Sequence, residues 1–167
     1  MTNRTTRIID ANNRGHLAFN ALKFNEAIHT FEEAIRLWEG RFMTEDDDAH
    51  GSIVPEAADD GEMQIVLTDS DISSIYDNLG VAYYHVGLFF PAIRAFLRAL
   101  DGRWNEREQS LRFLTNSFIW IGHYRNALHF LRRYEATFGP HRDGWTEAAL
   151  ESFIEKIRIG RSKRLPC

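Results

Sequence analysis

A chain of 167 residues, 44% of them hydrophobic, with a formal charge of -4, has the length of one domain and enough apolar material for a folded core. So mild a charge does not point to nucleic acid or an acidic lipid surface, and no stretch approaches the roughly 18 apolar residues of a spanning helix. The one cysteine, Cys167, excludes an internal disulfide, so a reducing compartment is expected, cytoplasmic or nuclear.

The opening MTNRTTRIID is polar and has no apolar run, so no secretory signal is expected there. Residues 1–10 are expected to fray at the start before joining the first helix. Residues 11–37, ANNRGHLAFNALKFNEAIHTFEEAIRL, carry Gly15, Phe24, Ala27, Phe31 and Ala34. The same five residues return 65 positions later as Gly80, Phe89, Ala92, Phe96 and Ala99. A single offset across five positions marks an internal repeat.

Between the two copies lies an acidic stretch. Residues 41–71 hold ten acidic residues and one Arg, a local charge of -9; the total being -4, the rest of the chain carries +5. High charge and few large apolar residues make its first part a solvated loop. Met63 to Leu67 is apolar enough to dock, and Asp69 or Ser70 is the expected N-cap of the next helix.

The second copy, Tyr76 to Trp104, is the fullest: YDNLGVAYYHVGLFFPAIRAFLRALDGRW. Tyr76, Leu79, Gly80 and Tyr83 share one helical face; Ala92, Phe96 and Ala99 share another after Pro91. Gly80 and Ala92 allow close approach of two antiparallel helices, and Phe96 fills the space between them. Gly87 can turn the chain at the end of the first helix, and Pro91 suits the first turn of the second.

The third copy is residues 111–139. Leu114, Phe118, Gly122, Tyr124, Ala127 and Leu131 repeat Leu79, Tyr83, Gly87, Phe89, Ala92 and Phe96 at an offset of 35. Thr115 replaces Gly80 and Tyr134 replaces Ala99, so this copy is expected to pack most loosely. The first copy has Ala11 and Ala18 in place of Tyr76 and Tyr83, which also suggests looser packing of its first helix. Gly139-Pro140 ends the third copy. In residues 144–160, Trp145, Ala148, Ala149, Phe153, Ile154 and Ile157 recur at helical spacing, and Gly160 is expected to close that helix. It reads as a cap over the open end of the stack. RSKRLPC, residues 161–167, reads as a loose basic tail.

The pattern resembles the tetratricopeptide repeat: an aromatic, two residues, Leu-Gly, two residues, Tyr, and later an Ala, three residues and Phe. Tyr76 stands where Trp is usual, and the resemblance covers about two thirds of the chain. It implies an all-α chain of three helix-turn-helix repeats, stacked as a short right-handed superhelix with a C-terminal capping helix. The repeats fall at about 8–39, 73–104 and 108–140, with an acidic insert at about 40–70 and the cap at about 144–160. The 65-residue offset is one family period of about 34 plus about 31 residues, which are the insert between the first two repeats.

The family binds peptides or partner helices on the concave side, lined by the first helix of each pair. The resemblance therefore implies a non-catalytic protein-interaction scaffold whose groove carries Asn12, Asn13, His16 and Asn20 from the first copy. Asp77, Asn78, Tyr84 and His85 come from the second, and Arg112, Asn116 and Trp120 from the third. An Asn amide can donate to and accept from one peptide unit, and Tyr and Trp offer large contact areas. The plain alternative is a solvated polar face whose aromatics pack against the cap.

Family members that dock acidic chaperone tails use Lys, Asn, Asn, Lys and Arg, at the places held here by Asn12, His16, Asn78, Gln109 and Phe113. Only Asn78 agrees, so a standard chaperone-tail adaptor is rejected.

Nothing in the sequence points to catalysis, a cofactor or a metal. No HExxH, CxxC, phosphate-binding Gly loop or nucleophile elbow occurs, and His123 and His129 are six apart, not a same-face pair. Asp46 to Asp48 and Asp59-Asp60 lack the ligand spacing and the Gly of a calcium loop. The basic C-terminal half, with Arg98, Arg107, Arg112, Arg125, Arg132, Arg133 and Arg158 among others, leaves RNA binding as the alternative function class. An accessory subunit of an enzyme complex is a third reading.

Overall fold

A computed structural model describes residues 3–40, 67–101 and 107–162. Most of the expected acidic insert, Arg103, and residues 163–167 of the basic tail with Cys167 lie outside the described residues. Among the described residues the protein is all-α, with seven helices and no strand. They are α1 (Arg4–Asn20), α2 (Phe24–Glu39), α3 (Asp69–His85), α4 (Phe89–Leu100), α5 (Glu108–Trp120), α6 (Tyr124–Phe138) and α7 (Glu147–Ser162). None of these helices is long and apolar enough to cross a membrane.

Helix ends follow local chemistry, and three differ from the sequence reading. Asn3 accepts a hydrogen bond from the Thr5 amide at 3.2 Å, so α1 is helical from Arg4, ahead of the repeat start expected at about residue 8. The cap of α3 is Thr68, not Asp69 or Ser70. Thr68 and Asp71 form a reciprocal capping box, with the Thr68 amide donating to Asp71 at 2.8 Å. α7 begins after Thr146, whose hydroxyl accepts from the Ala149 amide at 3.2 Å, and it runs through Gly160 to Ser162.

Each helix packs on the next, and α3 also touches α5. The pairs α1–α2, α3–α4 and α5–α6 are hairpins with one shared turn. In each, two backbone bonds close the end of the first helix. Lys23 N–H donates to Ala18 C=O at 2.9 Å, Leu88 to Tyr83 at 2.9 Å and His123 to Phe118 at 2.8 Å. One residue earlier, Leu22 donates to Phe19, Gly87 to Tyr84 and Gly122 to Ile119. This is a Schellman closure, which needs a left-handed residue. Gly87 (φ 77°) and Gly122 (φ 74°) supply it freely; in the first hairpin the residue is Leu22, at φ 60°.

The core of each hairpin is a small residue facing a large one. A Cβ built on Gly80 would lie 2.6 Å from the Phe96 ring, and one on Gly15 would overlap Phe31. Both rings are fully buried, so they cannot step aside. The third hairpin has Thr115 and Leu131 at these places, both fully buried. The larger Thr is matched by a smaller partner, and its hydroxyl donates to Leu111 C=O at 2.8 Å. Tyr134, in the place of Ala99, is also buried, with its hydroxyl donating to Glu108 at 3.0 Å. The third copy is therefore not opened up by its substitutions. Ala11 and Ala18 are buried too, so the loss of their aromatics does not expose α1.

The cap expectation holds only along one line. Leu150 of α7 is fully buried and packs with α6, whereas Phe153, Ile157 and Ile159 remain exposed. α7 therefore rests on the stack without hiding its own apolar face.

Two substitutions test this account. Gly80→Ala gains roughly 0.5–1 kcal/mol of helix propensity but overpacks the crossing, which costs about 1–3 kcal/mol, so a net loss is expected. Leu22→Gly relieves a left-handed conformation worth about 1–2 kcal/mol and gives back part through the unfolded chain, so a net gain of about 0.5–1 kcal/mol is expected. Urea denaturation of both variants reads the two signs; the same sign for both would refute the argument.

Candidate functional site

The first helices of the hairpins, α1, α3 and α5, present a shared face, and the expected groove residues fall on it unevenly. On α1, His16 is exposed and lies 3.2 Å from the Asn78 amide of α3. Asn12 is half-buried, with no partner for its Oδ1. Asn20 is exposed. Asn13 is turned elsewhere, into a shallow hollow with Arg7, Asp10, Arg14, Leu17 and Glu33.

Asp77 is buried and faces α5 rather than solvent. It accepts from the Ser110 hydroxyl and from the Gln109 amide at 3.0 Å. Burial raises its carboxyl above the ordinary range, opposed by Ser110, Arg107 and Gln109. Ser110 is fully buried, so Asp77 is its internal acceptor and ties α3 to α5.

The remaining residues build two linked clusters of rings. His85 stacks flat on Phe24, with centroids 4.7 Å apart. Trp120 stacks flat on Phe89 at 5.7 Å, and its Nε1–H donates to the Tyr84 hydroxyl at 3.1 Å. Tyr84 in turn meets the Phe113 edge at 4.8 Å. Phe24, Phe89 and Tyr124 each open the second helix of their hairpin, and Tyr124 continues the series by stacking on Phe153 of α7 at 5.4 Å. Each hairpin is thus joined to the next element by a flat ring pair.

These rings surround a cavity of about 600 Å³ between α5 and α7. Its lining includes Tyr84, Phe113, Trp120, Tyr124, Trp145 and Phe153, with Arg112, Asn116 and Asp143 as the polar members. Four of the expected groove residues meet here: Tyr84, Arg112, Asn116 and Trp120. Trp120 is 67% exposed although it is stacked and hydrogen-bonded, so it forms a wall with one open face.

The polar members hang on the turn between α6 and α7. Asn116 Nδ2 donates to Asp143 at 2.6 Å, and Arg112 lies 3.9 Å from the same carboxylate and 4.6 Å over the Phe113 ring. Asp143 is placed by His141, only 4% exposed, which sits 4.8 Å from the Tyr134 ring. His141 Nδ1 accepts from the Asp143 amide at 3.3 Å, and its C=O accepts from Gly144 at 2.9 Å. Gly139 (φ 82°) and Gly144 (φ 75°) bracket this turn.

Sequence reasoning missed Asp143, Phe113 and Tyr124 as site residues. Tyr124 stands at the repeat position of Phe89 and Phe113 at one of the clamp places, so both carry a signal in the sequence; Asp143 carries none, because its place depends on the turn. Trp145 and Phe153 were read as cap residues, and here they line the cavity. Among the described residues, no group of three or more His, Cys, Asp or Glu side chains could hold a metal ion. No family model and no curated protein matches this chain. The site therefore has to be read from its own chemistry.

Burial holds the His141 imidazole below its ordinary 6.5, against the opposing Asp143 carboxylate. The native state then binds fewer protons than the unfolded chain as pH drops below 6.5. Stability should fall with pH in that window, by at most about 1.4 kcal/mol per pH unit for one group. His141→Gln should remove that share of the slope. Urea midpoints between pH 7.5 and 5 check it, and an unchanged slope in the variant would refute it.

Proposed function

We propose that the chain is a non-catalytic scaffold that binds a peptide or helix of a partner protein. In this reading α1–α6 are three tetratricopeptide-type repeats, stacked as a short right-handed superhelix, and α7 borders the groove at one end. The observation that carries it is the ring-lined cavity between α5 and α7, where Tyr84, Arg112, Asn116 and Trp120 converge. Such concentrations of Trp, Tyr and Arg mark the energetic centres of protein interfaces. The three shared turns and the Gly–Phe crossings support the repeat assignment.

The RNA alternative gains less support. Nucleic-acid affinity rests on cations free to meet phosphates. Arg98 lies near Glu39 and Asp101, Arg112 near Asp143, Arg132 near Glu147 and Glu151, and Arg158 near Glu155. Arg107 donates to Ser70 C=O at 3.0 Å. These partners make much of the basic half ordinary helix-surface pairing. An accessory role in an enzyme complex is a special case of the same scaffold.

The test is a nuclease-treated pull-down with the tagged chain, beside the Asn78→Ala/Trp120→Ala double variant. Partner recovery should fall at least tenfold with the variant while helicity by circular dichroism is kept. Equal recovery with both chains would refute the assignment of this face, and recovery of RNA alone from an untreated sample would favour the alternative.

A further inference from the structure

The turn between α6 and α7 is closed through one imidazole. His141 is 4% exposed and lies against the Tyr134 ring of α6. Its Nδ1 accepts from the Asp143 amide at 3.3 Å, so that nitrogen carries no proton while the turn is closed. Its Nε2 is buried and makes no hydrogen bond. The contact joins residues only two apart, but it places Asp143, and Asp143 ties the turn to α5. That carboxylate accepts from Asn116 Nδ2 at 2.6 Å and stands 3.9 Å from Arg112. Gly139 (φ 82°) and Gly144 (φ 75°) flank the segment, and glycine can change its backbone angles at little steric cost.

Protonation reverses the contact. An imidazolium donates from both nitrogens and accepts at neither. Nδ1–H would meet the Asp143 N–H, and Nε2–H would stay buried without an acceptor. Turning the Asp143 side chain does not relieve this, because a main-chain N–H faces the ring; the main chain itself has to move. Burial opposes the charged ring most, and the Arg112 guanidinium of α5 adds to it. The Asp143 carboxylate and the Arg112 main chain pull the other way. The acid nearest to Tyr134 is already engaged: Glu108 of α5 accepts from the Tyr134 hydroxyl at 3.0 Å and pairs with Arg142 of the turn at 2.6 Å.

We propose that His141 is a pH-sensitive latch: neutral, it holds residues 139–144 closed with Asp143 on Asn116, and protonated, it lets the turn open about Gly139 and Gly144 and takes Asp143 off α5. The latch is a property of the chain itself and does not depend on the scaffold reading. Opening would also change the cavity between α5 and α7, whose lining keeps Arg112 and loses the opposing carboxylate. The sign follows from linkage. The closed turn excludes the proton, so closure is complete above the ordinary 6.5 and weakens below it, by at most about tenfold per pH unit for one group.

The test is hydrogen exchange followed by NMR on the full chain between pH 7.5 and 5, corrected for the intrinsic pH dependence of exchange. The Gly144 amide, which donates to His141 C=O in the closed turn, should lose at least tenfold protection over that range. The Asn116 Nδ2 protons should lose protection in parallel, because their acceptor leaves with the turn. Gly144 should also exchange faster than the fully buried Ala82 of α3 at every pH, which marks its opening as local. In His141→Asn, whose Oδ1 can accept in place of Nδ1 and does not titrate, the protection of Gly144 should be independent of pH.

Constant protection of Gly144 in the wild-type chain would overturn the latch. So would a fall at Gly144 with none at Asn116, or protection of Gly144 equal to that of Ala82, which would make the opening global unfolding. The same pH dependence in His141→Asn would overturn it too. If that variant does not fold, the three wild-type readings decide alone.

Discussion

Everything in this molecule depends on a ring seated over a bare backbone. Phe31 lies against Gly15 and Phe96 against Gly80 so closely that a single methyl group would collide with either ring. That contact sets the distance between the two helices of a hairpin. Ala27, Ala92 and Ala127, all fully buried, meet the same requirement for small side chains from the second helix. Close packing then leaves no freedom to accommodate volume changes singly. The third hairpin shows the rule by exchanging both members: Thr115 adds volume where Gly stood, and Leu131 removes it where Phe stood.

Hairpins made this way still have to be joined, and the joints are ring stacks that also reach the surface. Phe24 on His85, Phe89 on Trp120 and Tyr124 on Phe153 repeat one arrangement along the chain. The outer member of each pair is exposed. Such a pair contributes about 0.5–1.5 kcal/mol beyond its burial. Trp120 is therefore part of the joint as well as a wall of the cavity. A ligand that covers its open face would bury the joint further and stiffen the stack there. Under the scaffold reading, binding there and the positioning of α5 against its neighbours would be coupled through one side chain.

The fold was largely legible because its signals are local. Gly87, Gly122 and the Gly–Phe pairs can be read from spacing, since each answers a demand made within one hairpin. Leu22 illustrates the limit: it stands 65 positions before Gly87 and takes the same left-handed turn, though its side chain disfavours it. The site was only half legible. Helical spacing placed Tyr84, Arg112, Asn116 and Trp120 on a common face, but it could not separate Asp77, which stands next to Asn78 in the chain and packs into α5. Spacing also gave no hint of Asp143. That carboxylate reaches Asn116 only because a buried imidazole and two left-handed glycines fold residues 139–144 back towards α5.

That turn decides the chemistry of the cavity. Without Asp143, Arg112 would leave a net positive site, and Asn116 would be free to turn its amide either way. With Asp143 in place, the charge is cancelled and the acceptor end of Asn116 is left without a partner. An unpaired polar group of this burial costs about 1–3 kcal/mol relative to a satisfied one. The fold carries that cost at one end of the stack, beside the densest group of rings. Ser110 is satisfied by Asp77 and Thr115 by Leu111, whereas Asn116 Oδ1, like Asn12 Oδ1 on α1 and His141 Nε2 in the turn, is not.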